Sequence, residues 1–237
     1  MYQYRSRVRY SECSADSTIT LSALVNYLQD CCTFQSEDLG IGVAYQKEIH
    51  CAWVLSSWQI VIEKLPVMGE EIIVSTWPYN FKGFYGFRNF TIEDKNGTVL
   101  AYANSVWVFL DVSNNHPIRI NKRFQEAYVL EEAYPMDYLD RKIALHDVLY
   151  KQEAFPVQKS HIDTNNHVNN EKYILMAQEY IPQTAQIGQI RVEYKKAAVL
   201  GDMIYPASCK INSKWQVSLA NEGDEPYAIV EFFQKGD

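Results

Sequence analysis

Tyr194-Lys195-Lys196-Ala197-Ala198-Val199-Leu200-Gly201-Asp202-Met203-Ile204 is a diverged copy of Ile62-Glu63-Lys64-Leu65-Pro66-Val67-Met68-Gly69-Glu70-Glu71-Ile72. Each stretch reads as the end of one strand, a Gly-acid turn and the start of the next. A second pair lies upstream, where Tyr27-Leu28-Gln29-Asp30 answers Met176-Ala177-Gln178-Glu179. Both copies run strand, polar segment, long helix, β-rich strand, Gly-acid turn, strand. A period of this size is a duplicated domain, too long for a solenoid repeat. One long helix followed by several long strands predicts an antiparallel sheet wrapped around a helix, an α+β layer architecture.

The polar segments before the two helices differ. In the first copy Asp16-Ser17-Thr18-Ile19-Thr20 leads into apolar positions Leu21, Leu24, Val25, Leu28 and Cys32. In the second, Asp163-Thr164-Asn165-Asn166-His167-Val168-Asn169-Asn170 leads into Tyr173, Met176, Ala177 and Tyr180, and Pro182 ends the helix. A carboxylate, a carboxamide and an imidazole thus stand at 163, 165 and 167 beside a helix start. Unpaired N–H groups and the positive end of the dipole there can stabilise a developing oxyanion. The plainer reading is a polar turn with an Asn cap. Divergence into one catalytic half and one binding half would produce this asymmetry.

Composition narrows the classes. The 237 residues are 47% hydrophobic and 14% aromatic, enough for a packed core with no disordered tract. Val106-Trp107-Val108-Phe109-Leu110 is among the longest apolar runs and cannot span a bilayer. Met1-Tyr2-Gln3-Tyr4-Arg5-Ser6-Arg7 has no apolar signal core behind it, so a cytoplasmic location is expected. Five cysteines without a CxxC pair fit a reducing compartment. The five histidines are scattered, and no HExxH, GxSxG, Walker or GxGxxG pattern occurs, so no metal or cofactor is expected. A net charge of −7 argues against nucleic acid and anionic membranes as partners.

Strands are expected near 4–10, 51–64, 70–80, 84–94 and 98–111, with Asn96-Gly97 closing a hairpin. The second half gives strands near 153–160, 188–198, 202–212, 214–220 and 226–234. Residues from about Asn114 to Tyr150 lack alternation and read as a connector, with one short helix around Lys122 to Tyr128.

Three segments resemble the acyl-acyl carrier protein (acyl-ACP) thioesterases of plants and bacteria. They are Trp77-Pro78-Tyr79-Asn80-Phe81-Lys82-Gly83-Phe84-Tyr85-Gly86-Phe87-Arg88-Asn89-Phe90, then Ser105 to Asp111 with His116 to Ile120, then Asp163 to Asn170. They occur in the family's order over nearly the whole chain. The resemblance implies a double hotdog: an N-terminal hotdog over 1–120 that holds the acyl chain, a connector over 121–150, and a catalytic C-terminal hotdog over 151–237. It implies hydrolysis of acyl-ACP to free fatty acid. The alternatives are an acyl-CoA thioesterase of the same fold and a non-catalytic acyl-thioester binder. A homodimer is left open.

One departure matters. The family often carries Glu-Tyr-x-x-Glu-Cys after the catalytic helix, whereas this chain has Glu193-Tyr194-Lys195-Lys196-Ala197-Ala198. A thiol at 198 and a base at 197 are excluded, and Glu193 is either an auxiliary carboxylate or a structural one. Thiolates leave readily, their conjugate acids having a pKa of roughly 8.5. The expected machinery is therefore Asp163 as base or nucleophile, Asn165 and His167 fixing geometry, and the Val168 backbone N–H in the oxyanion hole. Acyl-pocket candidates are Trp53, Trp58 and Tyr79. Carrier-docking candidates are Arg119, Lys122, Arg123, Lys195 and Lys196.

Overall fold

The computed structural model describes residues 1–236, which form two compact units. Residues 1–56 with 62–138 make the first, and 57–61 with those from 139 on the second. The expected connector is thereby divided, residues up to Tyr138 going with the first unit and those from Leu139 with the second.

In the first unit β1 (Tyr2–Arg7) precedes α1 (Leu21–Asp38), α2 (Val43–Glu48) and β2 (Cys51–Ile62). Then come β3 (Glu71–Lys82), β4 (Tyr85–Asp94), β5 (Val99–Asp111), β6 (His116–Pro117) and α3 (Lys122–Ala127). Strands β1, β3, β4 and β5 pair antiparallel in that order, with β6 on β5. The β4–β5 turn forms because Asp94 Oδ1 accepts the Asn96 and Thr98 N–H groups at 2.8 and 2.9 Å, and Gly97 takes φ +83°. Helix α1 starts where the Thr20 hydroxyl accepts the Ala23 N–H at 3.2 Å. Its stripe Leu24, Val25 and Leu28 is fully buried. Burial of each such side chain stabilises the fold by ~1.5–3 kcal/mol, so Leu28→Ala, which also leaves a cavity, should cost ~2–5 kcal/mol.

In the second unit β7 (Tyr150–Lys151) and β8 (Phe155–Pro156) precede α4 (Asn170–Gln178), β9 (Ile187–Tyr194), β10 (Met203–Ile211), β11 (Lys214–Ala220) and β12 (Pro226–Gln234). Residues 57–61, β9, β12, β11, β10 and β7 are successive neighbours, with β8 also on β10. Two expectations need correcting. The strand placed at 153–160 is only two residues long. Helix α4, expected to be long, spans nine residues, half the length of α1. Of its predicted stripe Tyr173, Met176 and Ala177 are buried, while Tyr180 falls beyond the helix end and is only half-buried.

The halves of the connector are fastened differently. Tyr134 and Tyr138 in the first unit reach Asn89 Oδ1 at 3.0 Å each, through a backbone N–H and a hydroxyl. In the second unit polar side chains of the sheet read the backbone of 139–146. Gln59 accepts from Leu139 N–H, Glu193 from Ile143 N–H and Gln216 from His146 N–H, at 2.8–3.0 Å. Arg191 donates to the Lys142 carbonyl and to Glu231, which is 1% exposed. Period-2 alternation puts these polar groups on one face of β9, β11 and β12 and leaves Ile190, Val192 and Val230 for the other.

Candidate active site

Each helix entry is one turn built twice. A short 3-10 turn, Tyr10–Glu12 or Lys159–His161, is followed by an isolated bridge, Cys13 with Ile19 or Ile162 with Val168. The bridge closes through Ser14 N–H to Thr18 O at 2.9 Å and Asp163 N–H to His167 O at 2.8 Å. Ser17 and Asn166 both take left-handed φ, +64° and +61°. Thus Ser14, Asp16 and Thr18 occupy the places of Asp163, Asn165 and His167.

The two sets of side chains behave differently. Asp16 Oδ1 accepts from Ser14, from the Thr18 hydroxyl and from the Thr18 N–H at 2.7–3.0 Å. Those bonds hold its carboxyl down to about pKa 2. The side chains of Ser14, Asp16 and Thr18 are thus bonded to one another within the turn. In the second, Asp163 Oδ1 accepts the Asn165 N–H at 2.7 Å and the His167 N–H at 3.3 Å. The side chains of Asn165 and His167 are exposed and bond nothing among the described residues. The structure brings Asp163, Asn165 and His167 onto one turn, with the last two available to a ligand.

Val168 is corrected. Its N–H donates to the Ala198 carbonyl at 2.9 Å, so it is unavailable to an oxyanion. The neighbouring N–H groups are spent too: Asn166 on Asp163 O at 3.1 Å and Asn169 on His161 O at 2.8 Å. From 165 to 169 every backbone N–H is engaged. Ala198, fully buried, is held from both sides, because its own N–H donates to the Tyr173 hydroxyl at 2.8 Å. Burial pushes that phenol up to about 12, so it stays neutral.

Glu193 makes the contacts of the structural alternative. It is 6% exposed, accepts the Ile143 N–H at 2.8 Å and pairs with Lys195 at 3.5 Å, which spends it on the connector. Glu171, which the sequence reading passed over, is 2% exposed in the first turn of α4 and paired with Lys172 at 2.7 Å. Its one sequence signal is an acid at the place of Ser22 in the first copy. His161 nearby is depressed by burial and by Lys172, and its Nδ1 accepts the Gln158 N–H at 3.1 Å.

The acyl-pocket candidates separate. Trp53 packs among Phe81, Phe109 and Phe124 with ring centroids 4.9–6.2 Å away, and its buried indole N–H has no partner among the described residues. Trp58 is buried in 57–61, opposite Val192, and so belongs to the second unit. Tyr79 is the extra residue of a bulge, bonded to Asn104 at 3.0 Å and tilted against the Tyr138 ring of the covering segment. Among the basic candidates, Arg123 lies over the Tyr45 ring and donates to Gly40 O at 3.2 Å, and Lys122 pairs with Glu126 at 3.4 Å. Arg119 and Lys196 are exposed.

A duplicated helix-and-sheet unit with an Asp-x-Asn-x-His turn in the second copy alone is the build of a double hotdog protein. The acyl-ACP thioesterase N-terminal domain matches residues 1–128 and the C-terminal domain residues 146–235, so the chain belongs to the acyl-ACP thioesterase family. An acyl-[acyl-carrier-protein] hydrolase of Cuphea viscosissima is 26% identical over 217 residues, 83% of this chain and 52% of the relative. A palmitoyl-acyl carrier protein thioesterase of Arabidopsis thaliana is 25% identical over 246 residues, 94% of this chain and 58% of the relative. The chain spans about half the length of the curated relatives it matches. An acyl-ACP thioesterase from Bacteroides thetaiotaomicron shares the fold with a TM-score of 0.88 at 24% identity, covering 98% of this chain and 97% of its own. The 12:0-ACP thioesterase of Umbellularia californica does so with 0.88 at 18%, covering 100% and 97%.

Proposed function

We propose that the protein hydrolyses acyl-ACP to free fatty acid and ACP, with the chemistry in the second hotdog and the acyl chain held by the first. The observation that carries this is the paired turn: the same backbone appears twice, and only the second copy frees a carboxamide and an imidazole while keeping a carboxylate. In this mechanism Asp163 Oδ1 holds the turn through the Asn165 and His167 N–H groups. Oδ2, which no described residue bonds, either orients water or attacks the thioester carbonyl. With the backbone donors of 165–169 engaged, the Asn165 carboxamide and the His167 imidazole supply the oxyanion contacts. The thiolate departs without a strong acid, consistent with Ala197 and Ala198 where an acid and a thiol would stand.

The test is release of free fatty acid by the purified protein from acyl-ACP and from acyl-CoA. Faster turnover of acyl-ACP is expected. Equal turnover of both would point to a general thioesterase, and tight acyl-ACP binding without release to the non-catalytic binder that Ala197 and Ala198 leave open.

A further inference from the structure

The loop behind the Asp163–His167 turn is the same element as one in the first unit, with the charge changed. In both copies the turn is pinned to it, by Ile19 N–H to Pro66 O and Val168 N–H to Ala198 O, each at 2.9 Å. In both an acid caps the loop, Glu70 accepting the Val67 N–H at 2.9 Å and Asp202 the Val199 N–H at 3.0 Å. Both present a bare apolar tip: Val67 and Met68 are 44% and 47% exposed, Val199 and Leu200 41% and 53%. The flanks differ. Glu63 and Glu71 of the first loop become Lys195 and Met203 in the second, and Lys64 becomes Lys196. Lys159 joins the second loop's side, because Val157, two residues before it, bonds Asp202 O at 2.8 Å. Lys159 and Lys196 are exposed with no acidic partner among the described residues, and Lys195 shares only Glu193.

We propose that Lys159, Lys195, Lys196 and the apolar tip Val199-Leu200-Met203 form the docking platform for the acyl carrier, a small acidic protein presenting carboxylates around an apolar side chain. The proposal rests on the acyl-ACP reading above and says where that substrate lands. Three lysines around exposed apolar groups are complementary to such a partner in a chain whose net charge of −7 otherwise repels it. The backbone bonds to Asp202 and Ala198 keep the platform preformed, so little ordering cost accompanies docking. A thioester arriving on a carrier bound there meets the turn of Asp163 and His167 through the Val168–Ala198 contact.

The experiment uses the full chain and two readouts, binding of unacylated holo-ACP by calorimetric titration at low ionic strength, and hydrolysis of a carrier-free acyl-pantetheine thioester. Lys195→Glu with Lys196→Glu should weaken carrier binding by roughly tenfold or more, an effect that salt removes. Lys195→Ala with Lys196→Ala, and separately Leu200→Ser, should weaken it by a smaller factor and serve if the reversal fails to fold. Val67→Ser with Met68→Ser should change nothing, and acyl-pantetheine turnover should stay level in all. Unchanged carrier binding in the lysine variants, or equal weakening in the first-loop control, overturns the proposal. So does a wild-type protein that ignores the carrier but sediments with phosphatidylglycerol vesicles or self-associates through Leu200. Wild-type binding of the carrier, lost in the lysine variants but with no hydrolysis of acyl-pantetheine, supports the platform and sinks the hydrolase reading alone.

Discussion

The two turns differ at three side chains, Ser14, Asp16 and Thr18 against Asp163, Asn165 and His167. Asp16 is acceptor-only, its Oδ1 held by Ser14 and Thr18, whereas Asn165 in the same backbone place carries two donors. Asn165→Asp would put a second carboxylate beside Asp163 where an oxyanion develops, without the Ser14 and Thr18 hydroxyls that hold Asp16. It should lower turnover by roughly a hundredfold or more with the fold intact, because the Asn165 side chain is exposed and bonds nothing among the described residues. Turnover within threefold of wild type would move the oxyanion hole elsewhere. Asp163→Asn keeps an oxygen for the Asn165 and His167 N–H groups but removes the base, so steady-state kinetics should show a loss of ~10²–10⁴-fold with the fold intact. Asp16 supplies a pH test. Its folded pKa of about 2 lies below the ordinary value of 3.8, so its contribution is present above 3.8 and lost as pH falls through 2. Thermal melts of wild type and Asp16→Asn should therefore differ at neutral pH and converge near pH 2. The sequence alone displayed the Asp-x-Asn-x-His spacing but hid the fate of the Val168 N–H. Its acceptor is thirty residues away, on a loop whose approach no local pattern reports.

At the scale of elements, strands β2 to β5 and β9 to β12 were legible to within a few residues, because alternation and Gly-acid turns are local signals. The short α4 and the fragmentary β7 and β8 were not, since the same apolar stripe and β-rich composition are compatible with longer elements. The fastening of 139–146 was invisible too. It depends on Gln59, Arg191, Glu193 and Gln216 arriving from separate strands to bond backbone groups. Glu193→Ala should expose this: it leaves the Ile143 N–H without its acceptor, which costs ~1–3 kcal/mol, and frees the segment locally. Limited proteolysis should then cut within 139–146 faster than in wild type while acyl-pantetheine turnover holds. Unchanged cutting would mean that Gln216 and Arg191 suffice. Tyr173→Phe acts on another joint. It strips the acceptor from the buried Ala198 N–H, so urea unfolding should report a loss of about 1–3 kcal/mol, with turnover lowered as the pinning of Val168 loosens.

For the whole molecule, the proposed division of labour between the two copies means that substitutions in each unit should move different kinetic quantities. In the first unit Trp53 closes an aromatic cluster of Phe81, Phe109 and Phe124, and the backbone at Gly86 comes so near that an added Cβ would sit 3.0 Å from the indole. If the first hotdog holds the acyl chain, Trp53→Ala opens room at the end of the cluster without touching the turn of Asp163, Asn165 and His167. The ratio of kcat/KM for a longer acyl chain to that for a shorter one should then rise roughly tenfold, since each methylene accommodated in an apolar pocket is worth about 1–3 kcal/mol. Gly86→Ala should do the reverse by driving the indole inward. His167→Ala is the contrast, lowering kcat for every chain length by a common factor. A competition assay with mixed acyl-ACPs reads both quantities at once. Should Trp53→Ala slow all chain lengths equally and His167→Ala alter the product distribution, acyl selection would belong to the second unit and the division of labour would be inverted.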